Sequence, residues 1–263
     1  MTQTPVNIQT AQGHQVLAAA GKKILRPGGK SATEQLFEWA NFQPNETVLE
    51  LAASFGESAI ALSQRYGVRV VGVEKNPESV ARAKANIRNA GLEQQIEIIE
   101  GDIFHLEAIP GEFDCVFAEA ILSMQSAPGK AKILNSIRDK LKNGGKFLSH
   151  ELLAQNNEEE IHQQLAQTIR SNTTPLSETN WIAACTAAGL QVQQHKTGAM
   201  ALLNLPSMIQ DEGLVDTAKF LWNVLANPEI RKRVLAMRQI FNKYRQDLGY
   251  IVLVAVKNKP LSL

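Results

Sequence analysis

Four acidic residues recur at one kind of position in this chain. Glu50 sits at the end of the apolar run 48–51, Glu74 ends the next in "VVGVEKN", Asp102 follows the third in "IEGDIF" and Glu119 the fourth in "FDCVFAEAIL". One acidic residue after a strand is unremarkable, because a carboxylate suits the positive end of the helix that follows. Four in succession describe a crevice rimmed with negative charge, which suits a cationic ligand and repels a phosphorylated one. Further along, "FLSHELL" places His150 beside Glu151 at the end of a fifth run. Neighbours on a strand point to opposite faces, and His150 is the candidate catalytic residue, a base able to take a proton from a hydroxyl, amine or thiol. A hydrogen-bonded structural histidine is the alternative. Glu119 could line the ligand site, orient a substrate or cap the helix around Leu122.

The first acidic residue belongs to "VLELAASFGESAIALSQRYG", Val48 to Gly67, which reads as a buried strand, a sharp turn and a helix. In open parallel sheets such a junction serves nucleotide-like ligands. A dinucleotide brings a pyrophosphate, which wants closely approaching glycine backbone and a helix N-terminus. Here Ala52 and Ser54 stand where glycines are expected, only Gly56 remains, and no Lys or Arg lies in the turn. S-adenosylmethionine carries no phosphate, and its sulfonium and ammonium are favoured by an acidic rim. Glu74 can accept both hydroxyl protons of its ribose. Ala52 and Ser54 are small, and the turn accommodates them if their φ angles are negative.

The elements that must position these residues alternate. Val48–Leu51, Val68–Val73, Ile96–Ile99, Cys115–Ala118 and Lys146–Ser149 are continuous apolar runs, as in a parallel sheet covered on both faces. Between the second and third, Asn76 is a natural N-cap, Pro77 fits the first turn, and Val80, Ala83, Ile87 and Ala90 make one apolar stripe. Repetition of such units predicts an α/β chain with an open, doubly wound sheet. Later, Ser177 could cap a helix bearing Trp181 and Cys185, and "LQVQQHKTG" and "LGYIVLVAVKN" read as the last two strands. Between them, residues 201–247 read as two helices broken at Asn227-Pro228, a helical cap inserted between the final strands. Trp222, Met208, Met200 and Tyr244 could line an apolar pocket beneath it or serve as ordinary core. Arg231, Lys232 and Arg233 are expected on a solvated helix face. Residues 1–45 form an N-terminal helical segment with a Pro-Gly-Gly turn, and 46–200 with 248–263 form the ligand-binding domain.

The chain resembles the class I S-adenosylmethionine-dependent methyltransferases of the small-molecule, type 11 or type 25-like group. The resemblance runs from about Leu36 to Glu151. The acidic-x-Gly-x-Gly-x-Gly motif falls on Glu50-Leu51-Ala52-Ala53-Ser54-Phe55-Gly56, with two glycines replaced. The second acidic position falls on Glu74, the third on Asp102 in "GDIFHL", the fourth-strand segment on "FDCVFAEAIL", and the turn "L-K-x-G-G" on "LKNGGKF". This implies a seven-stranded, mostly parallel, Rossmann-like sheet completed by the last two strands. It implies that Glu50 meets the amino-acid end of S-adenosyl-L-methionine, Glu74 the ribose and Asp102 the adenine amine. Ala52, Ser54, Gly56, Lys75, Ile103 and Glu119 would lie beside them. "LRPGGKSATEQL" resembles the group's approach segment near the donor's methionine end.

Bulk properties narrow the partners. A net charge of +1 over 263 residues argues against binding nucleic acid by overall charge. The two cysteines, Cys115 and Cys185, have no metal-ligand spacing and read as buried thiols of a cytoplasmic protein. The opening residues lack a secretion signal and no apolar run is long enough to suggest a membrane helix, so a soluble protein with no membrane partner is expected. His14, His105, His162 and His195 have no partners at metal spacing, so no metal is expected. The expected activity is methyl transfer to a small-molecule acceptor. A nicotinamide-dependent oxidoreductase and a non-catalytic binding protein remain as alternatives at this point.

Overall fold

A computed structural model describes residues 7–258. Seven strands, β1 (Thr47–Leu51), β2 (Arg69–Glu74), β3 (Ile96–Glu100), β4 (Phe113–Glu119), β5 (Leu141–Ala154), β6 (Leu190–Ala199) and β7 (Leu248–Lys257), form one sheet in the order β3-β2-β1-β4-β5-β7-β6. β7 runs antiparallel to β5 and β6, and the pairings from β3 to β5 are parallel. The doubly wound, seven-stranded, mostly parallel sheet is therefore present. The five internal apolar runs are parallel strands because both faces are covered. Leu49, Val116, Phe147 and Leu253 pack on one side, and Val48, Val70, Phe117 and Leu148 on the other.

The crossover helices follow their local signals. α3 (Glu57–Tyr66) starts at Gly56, whose φ of 78° is left-handed and suits glycine. In α4 (Pro77–Asn89) the Asn76 side chain accepts from the amides of Glu78 and Ser79, while Val80, Ala83 and Ile87 face inward. α5 (Ala127–Lys140) is capped by Ser126, and α7 (Glu178–Ala187) by Ser177, with Trp181 and Cys185 buried. The Trp181 indole donates to the Leu152 carbonyl at 3.0 Å. α6 (Glu158–Ile169) is a helix that the sequence pattern does not mark. Its three leading glutamates are a first-turn signal, and its buried Ile161, Leu165 and Ile169 stripe is short.

The N-terminal segment divides. α1 (Gly13–Ala19) packs with α6 and with the inserted helices α8 (Leu205–Ala226) and α9 (Pro228–Lys243), a cluster separate from the sheet core. α2 (Gly29–Ala40) packs on the sheet through Leu36 and Phe37. The insertion does break at Asn227, whose side chain caps α9. α8 breaks again at Gly213, with φ 81° and ψ 168°, so the insertion has three helical pieces rather than two. Arg233 departs from its expected solvated position. It is buried and donates to the carbonyls of Ile8 and Ala11, tying the N-terminal residues to the insertion.

Candidate functional site

The strand order reverses between β1 and β4, the point at which open α/β sheets bind ligands beyond the strand ends. Glu50 and Glu119 lie on these two strands. Glu50 is 5% exposed, and its Oε2 is buried with no hydrogen-bond partner among the described residues. Burial pushes its carboxyl up to about 8, the nearby Glu119 carboxylate adds to this, and Arg26 opposes it. A buried carboxylate oxygen without a partner is costly unless a ligand supplies one. Its chemistry asks for a cation or a strong donor.

Glu119 has partners of its own. Arg26 Nε lies 3.0 Å from Glu119 Oε2, the Thr33 hydroxyl donates to Oε1, and Ser58 Oγ donates to Oε2 at 3.3 Å. Burial alone would raise its carboxyl, yet Arg26, His150 and Thr33 hold it below the ordinary value. Arg26 also donates to Ser58 Oγ at 2.7 Å. Glu119 does not cap the turn at Leu122. Glu151 takes that task, accepting from the amides of Ile121, Leu122 and Ser123 and from the Ser123 hydroxyl. Its side chain leaves the opposite face of β5 from His150, as neighbouring strand residues must.

His150 is fully buried. Its Nε2 accepts the amide proton of Gly28 at 3.0 Å, and Nδ1 lies 3.3 Å from Thr33 Oγ1 and 3.4 Å from Glu119 Oε1. An amide can only donate, so Nε2 carries the lone pair and Nδ1 the proton. Both nitrogens are thus engaged within the protein. Gly28 must be glycine for this contact, since a Cβ there would come within 2.7 Å of the Tyr250 ring and 2.6 Å of Ala32.

The turn after β1 corrects one expectation. Ala52 and Ser54 have φ of 54° and 50°, not negative values, and Gly56 follows with 78°. The left-handed alternation that glycines would supply is kept without them, at roughly 1–2 kcal/mol for each L-residue. The Ser54 amide donates to Glu74 Oε2 at 2.9 Å, and the Asn76 amide to Oε1 at 2.8 Å, which fixes that carboxylate across the turn. Each of its oxygens keeps a further lone pair for a hydroxyl donor. Asp102 accepts from the Phe104 amide at 3.0 Å and from Lys75 Nζ at 2.8 Å; Lys75, then the Phe104 amide, hold its carboxyl low. Ile103 is buried as the first residue of the 3₁₀ turn after Asp102.

The structure therefore gathers Glu50, Glu119 and His150 into one network and fixes Glu74 across the glycine-poor turn. Arg26, Thr33 and Ser58 join the network, and the Tyr250 ring packs edge-on against His150. Arg26 and Thr33 belong to the segment "LRPGGKSATEQL", whereas no pattern in the sequence gives Ser58 or Tyr250 a role. The signal for Arg26 was its place just before the Pro-Gly-Gly turn, which carries it over the strand ends. The proposed apolar lining fares differently. Trp222 is 71% exposed and points away, whereas Met208 and Tyr244 are buried within the helical cluster. Among the described residues, no group of three or more His, Cys, Asp or Glu is placed to hold a metal.

Comparison with known proteins decides the family. The profile described as "Methyltransferase domain" matches residues 48–145, which contain the turn and all four acidic strand ends. An uncharacterised protein of Haemophilus influenzae is 32% identical over 93% of this chain and 98% of its own length. The chain is a class I S-adenosylmethionine-dependent methyltransferase. A methyltransferase of Geobacter sulfurreducens solved with S-adenosyl-L-homocysteine has the same fold, with a TM-score of 0.69 and 17% identity over 93% of this chain and 98% of that one. A sterol 24-C-methyltransferase of Pneumocystis carinii is 29% identical over 48% of this chain and 34% of its own length. The chain spans between 29% and 55% of the length of this and the other named methyltransferases it resembles.

The residues fit the methyl donor of this family. The partnerless oxygen of Glu50 could accept from an ammonium, each Glu74 oxygen keeps a lone pair for a hydroxyl, and the turn between them carries no Lys or Arg. When bound, the donor supplies an electrophilic methyl group on a positively charged sulfur.

Proposed function

We propose that this methyltransferase acts on a small-molecule acceptor, with Glu50, Ala52, Ser54, Gly56, Glu74, Lys75, Asp102, Ile103 and Glu119 forming the donor site. The observation that carries this reading is the buried, partnerless carboxylate oxygen of Glu50 at the sheet's switch point. The roof supports a small acceptor. The segment holding Arg26 and Gly28 crosses the strand ends, and α8 is tied to it on the far side, through Asp211 to the Lys30 amide and Glu212 to the Ile24 amide. Relatives named as sterol 24-C-methyltransferases and a sarcosine/dimethylglycine N-methyltransferase act, by those names, on small molecules.

Displacement at a sulfonium methyl releases a neutral thioether, so alignment and exclusion of water carry most of the acceleration. In this reading His150 is a positioning residue. Through Gly28 it holds the roof segment, and through Nδ1–H it orients Glu119, which in turn holds Arg26. A base role would require Nε2 to leave the Gly28 amide. Residues 201–247 act as the cap that helps exclude water. The test is calorimetric titration with S-adenosylmethionine and S-adenosylhomocysteine, followed by mass-spectrometric screening of acceptor pools for a gain of one methylene mass. Saturable donor binding with methyl gain in a small-molecule fraction supports the proposal. Donor binding with transfer only to macromolecules would refute the acceptor class.

A further inference from the structure

We propose that the hairpin of α8 and α9 docks this protein on an anionic lipid bilayer. Beyond Gly213, the inner face of α8 is occupied, with Thr217, Phe220 and Val224 buried. The opposite side of a helix with 3.6 residues per turn carries Leu214, Val215, Ala218, Leu221, Trp222 and Leu225. Leu214 is 70% exposed, Val215 67%, Trp222 71% and Leu225 63%. Asp216, Lys219 and Asn223 fall on the flank, so no charge interrupts the stripe. Scattered exposed leucines are ordinary, but a contiguous helix side of them around an indole marks a contact surface.

Charge identifies what covers it. Besides the buried Arg233, residues 214–245 hold six exposed Lys or Arg against Asp216 and Glu229, in a chain whose total charge is +1. Arg231, Lys232 and Arg238 are exposed on α9, with Leu235 at 52% among them. An apolar stripe with Trp and Leu beside arginine and lysine is the composition of helices that lie at the headgroup–acyl boundary of anionic membranes. A two-fold contact between copies of this chain would instead crowd the cations of both copies together. Among the described residues, no helix is long and apolar enough to span a membrane, so the attachment is peripheral.

The surface connects with the site. On the inner side of α8, Glu212 accepts from Lys22 Nζ at 2.9 Å and from the Ile24 amide at 3.0 Å, and Asp211 from the Lys30 amide at 3.0 Å. These contacts bracket Arg26 and Gly28 over the strand ends. A docked α8 holds the roof of the crevice against the lipid, so the acceptor class this arrangement serves is one dissolved in the bilayer. That last step rests on the methyl-transfer reading; docking does not.

The full chain is tested by co-sedimentation with vesicles of phosphatidylcholine alone and of phosphatidylcholine mixed with phosphatidylglycerol, at low and high salt. Thermal unfolding of each variant establishes that these surface changes leave the fold intact. The expected result is binding to the mixed vesicles, little to the neutral ones, weakening with salt, and a blue shift of Trp222 emission. Trp222→Ser with Leu225→Ser abolishes it, and Arg231→Gln with Lys232→Gln weakens it roughly 30-fold, at the usual contribution of a basic residue near a charged surface. Absence of binding to mixed vesicles overturns the proposal. So does equal binding by the stripe variant, preferential binding of a DNA duplex, or a lipid-free dimer that Trp222→Ser dissociates. Docking is read without turnover, so its failure and failure of methyl transfer are separate results.

Discussion

Replacing Glu50 by Gln separates what this carboxylate does to the empty protein from what it does for the donor. The side chain is 5% exposed, one oxygen has no partner, and burial followed by the Glu119 charge pushes its carboxyl from 4.5 up to about 8. A folded-state value above the unfolded one means that the folded protein binds the proton more tightly. Its contribution to stability is therefore greatest below about pH 4.5, falls as pH rises through the window to about 8, and is constant above. At about 1.4 kcal/mol per unit, a shift of this size corresponds to about 5 kcal/mol across the window, an upper figure because Arg26 and Ser58 can rearrange. Glutamine has the same shape and no charge, so its variant lacks that slope and is the more stable protein at pH 8. Donor binding changes in the opposite direction. An ammonium beside Oε2 favours the ionised carboxylate, so affinity for S-adenosylmethionine in the wild type rises with pH up to about 8. In Glu50→Gln it is flat and, at pH 8, weaker by about 2 kcal/mol, the range of a charged hydrogen bond. Urea unfolding between pH 5 and pH 9 gives the first quantity and calorimetric titration the second. Parallel stability curves for wild type and variant, or unchanged donor affinity at pH 8, would refute the assignment of a strained carboxylate waiting for a cation.

Three further outcomes follow from the same geometry. Ala52→Gly and Ser54→Gly should each raise stability by about 0.5–1 kcal/mol, the left-handed strain relieved less the extra freedom of glycine in the unfolded chain; a lower urea midpoint would contradict the positive φ angles. His150→Ala should cost about 2–4 kcal/mol, because the Gly28 amide and the Thr33–Glu119 pair lose a buried partner. If His150 only positions the roof, the residual methyl transfer keeps the wild-type pH profile, whereas loss of one limb of that profile would restore the base role. Glu151→Gln should cost about 2–4 kcal/mol without changing donor affinity, since an amide nitrogen would face donors at Ile121, Leu122 and Ser123; thermal unfolding alongside donor titration checks both.

The parallel strands were readable because burial on both faces leaves continuous apolar runs; four of those five runs lie within an observed strand, and the run 68–73 begins one residue ahead of β2. Helix starts were readable where a side chain caps them, as Asn76 and Ser177 do. α6 was not, since Asn157 precedes it in a left-handed conformation with no side-chain cap bond, and its apolar stripe has only three members. The acidic strand ends were legible as a set, yet sequence could not distinguish their tasks. The sequence offered Glu119 as a cap near Leu122 and gave Glu151 no task of its own. Strand parity together with the β4–β5 register places His150, not Glu151, beside Glu119, and leaves Glu151 for the turn at Leu122.

The replaced glycines show most clearly why a motif is a statement about backbone and not about letters. A phosphate-binding loop needs glycine twice over, for positive φ and for space against the ligand's pyrophosphate. Here the first need is met by strain at Ala52 and Ser54, held in place by the Ser54 amide bond to Glu74 and the Ala53 amide bond to the Val73 carbonyl at 3.0 Å. The second need is absent for a donor without phosphate. Ala52 and Ser54 place side chains where a pyrophosphate would need bare backbone, and the Glu74 carboxylate held across the same turn disfavours a phosphate. Both properties of this turn disfavour a pyrophosphate and neither disfavours S-adenosylmethionine, so the substitutions that weaken the glycine pattern are compatible with the methyl donor.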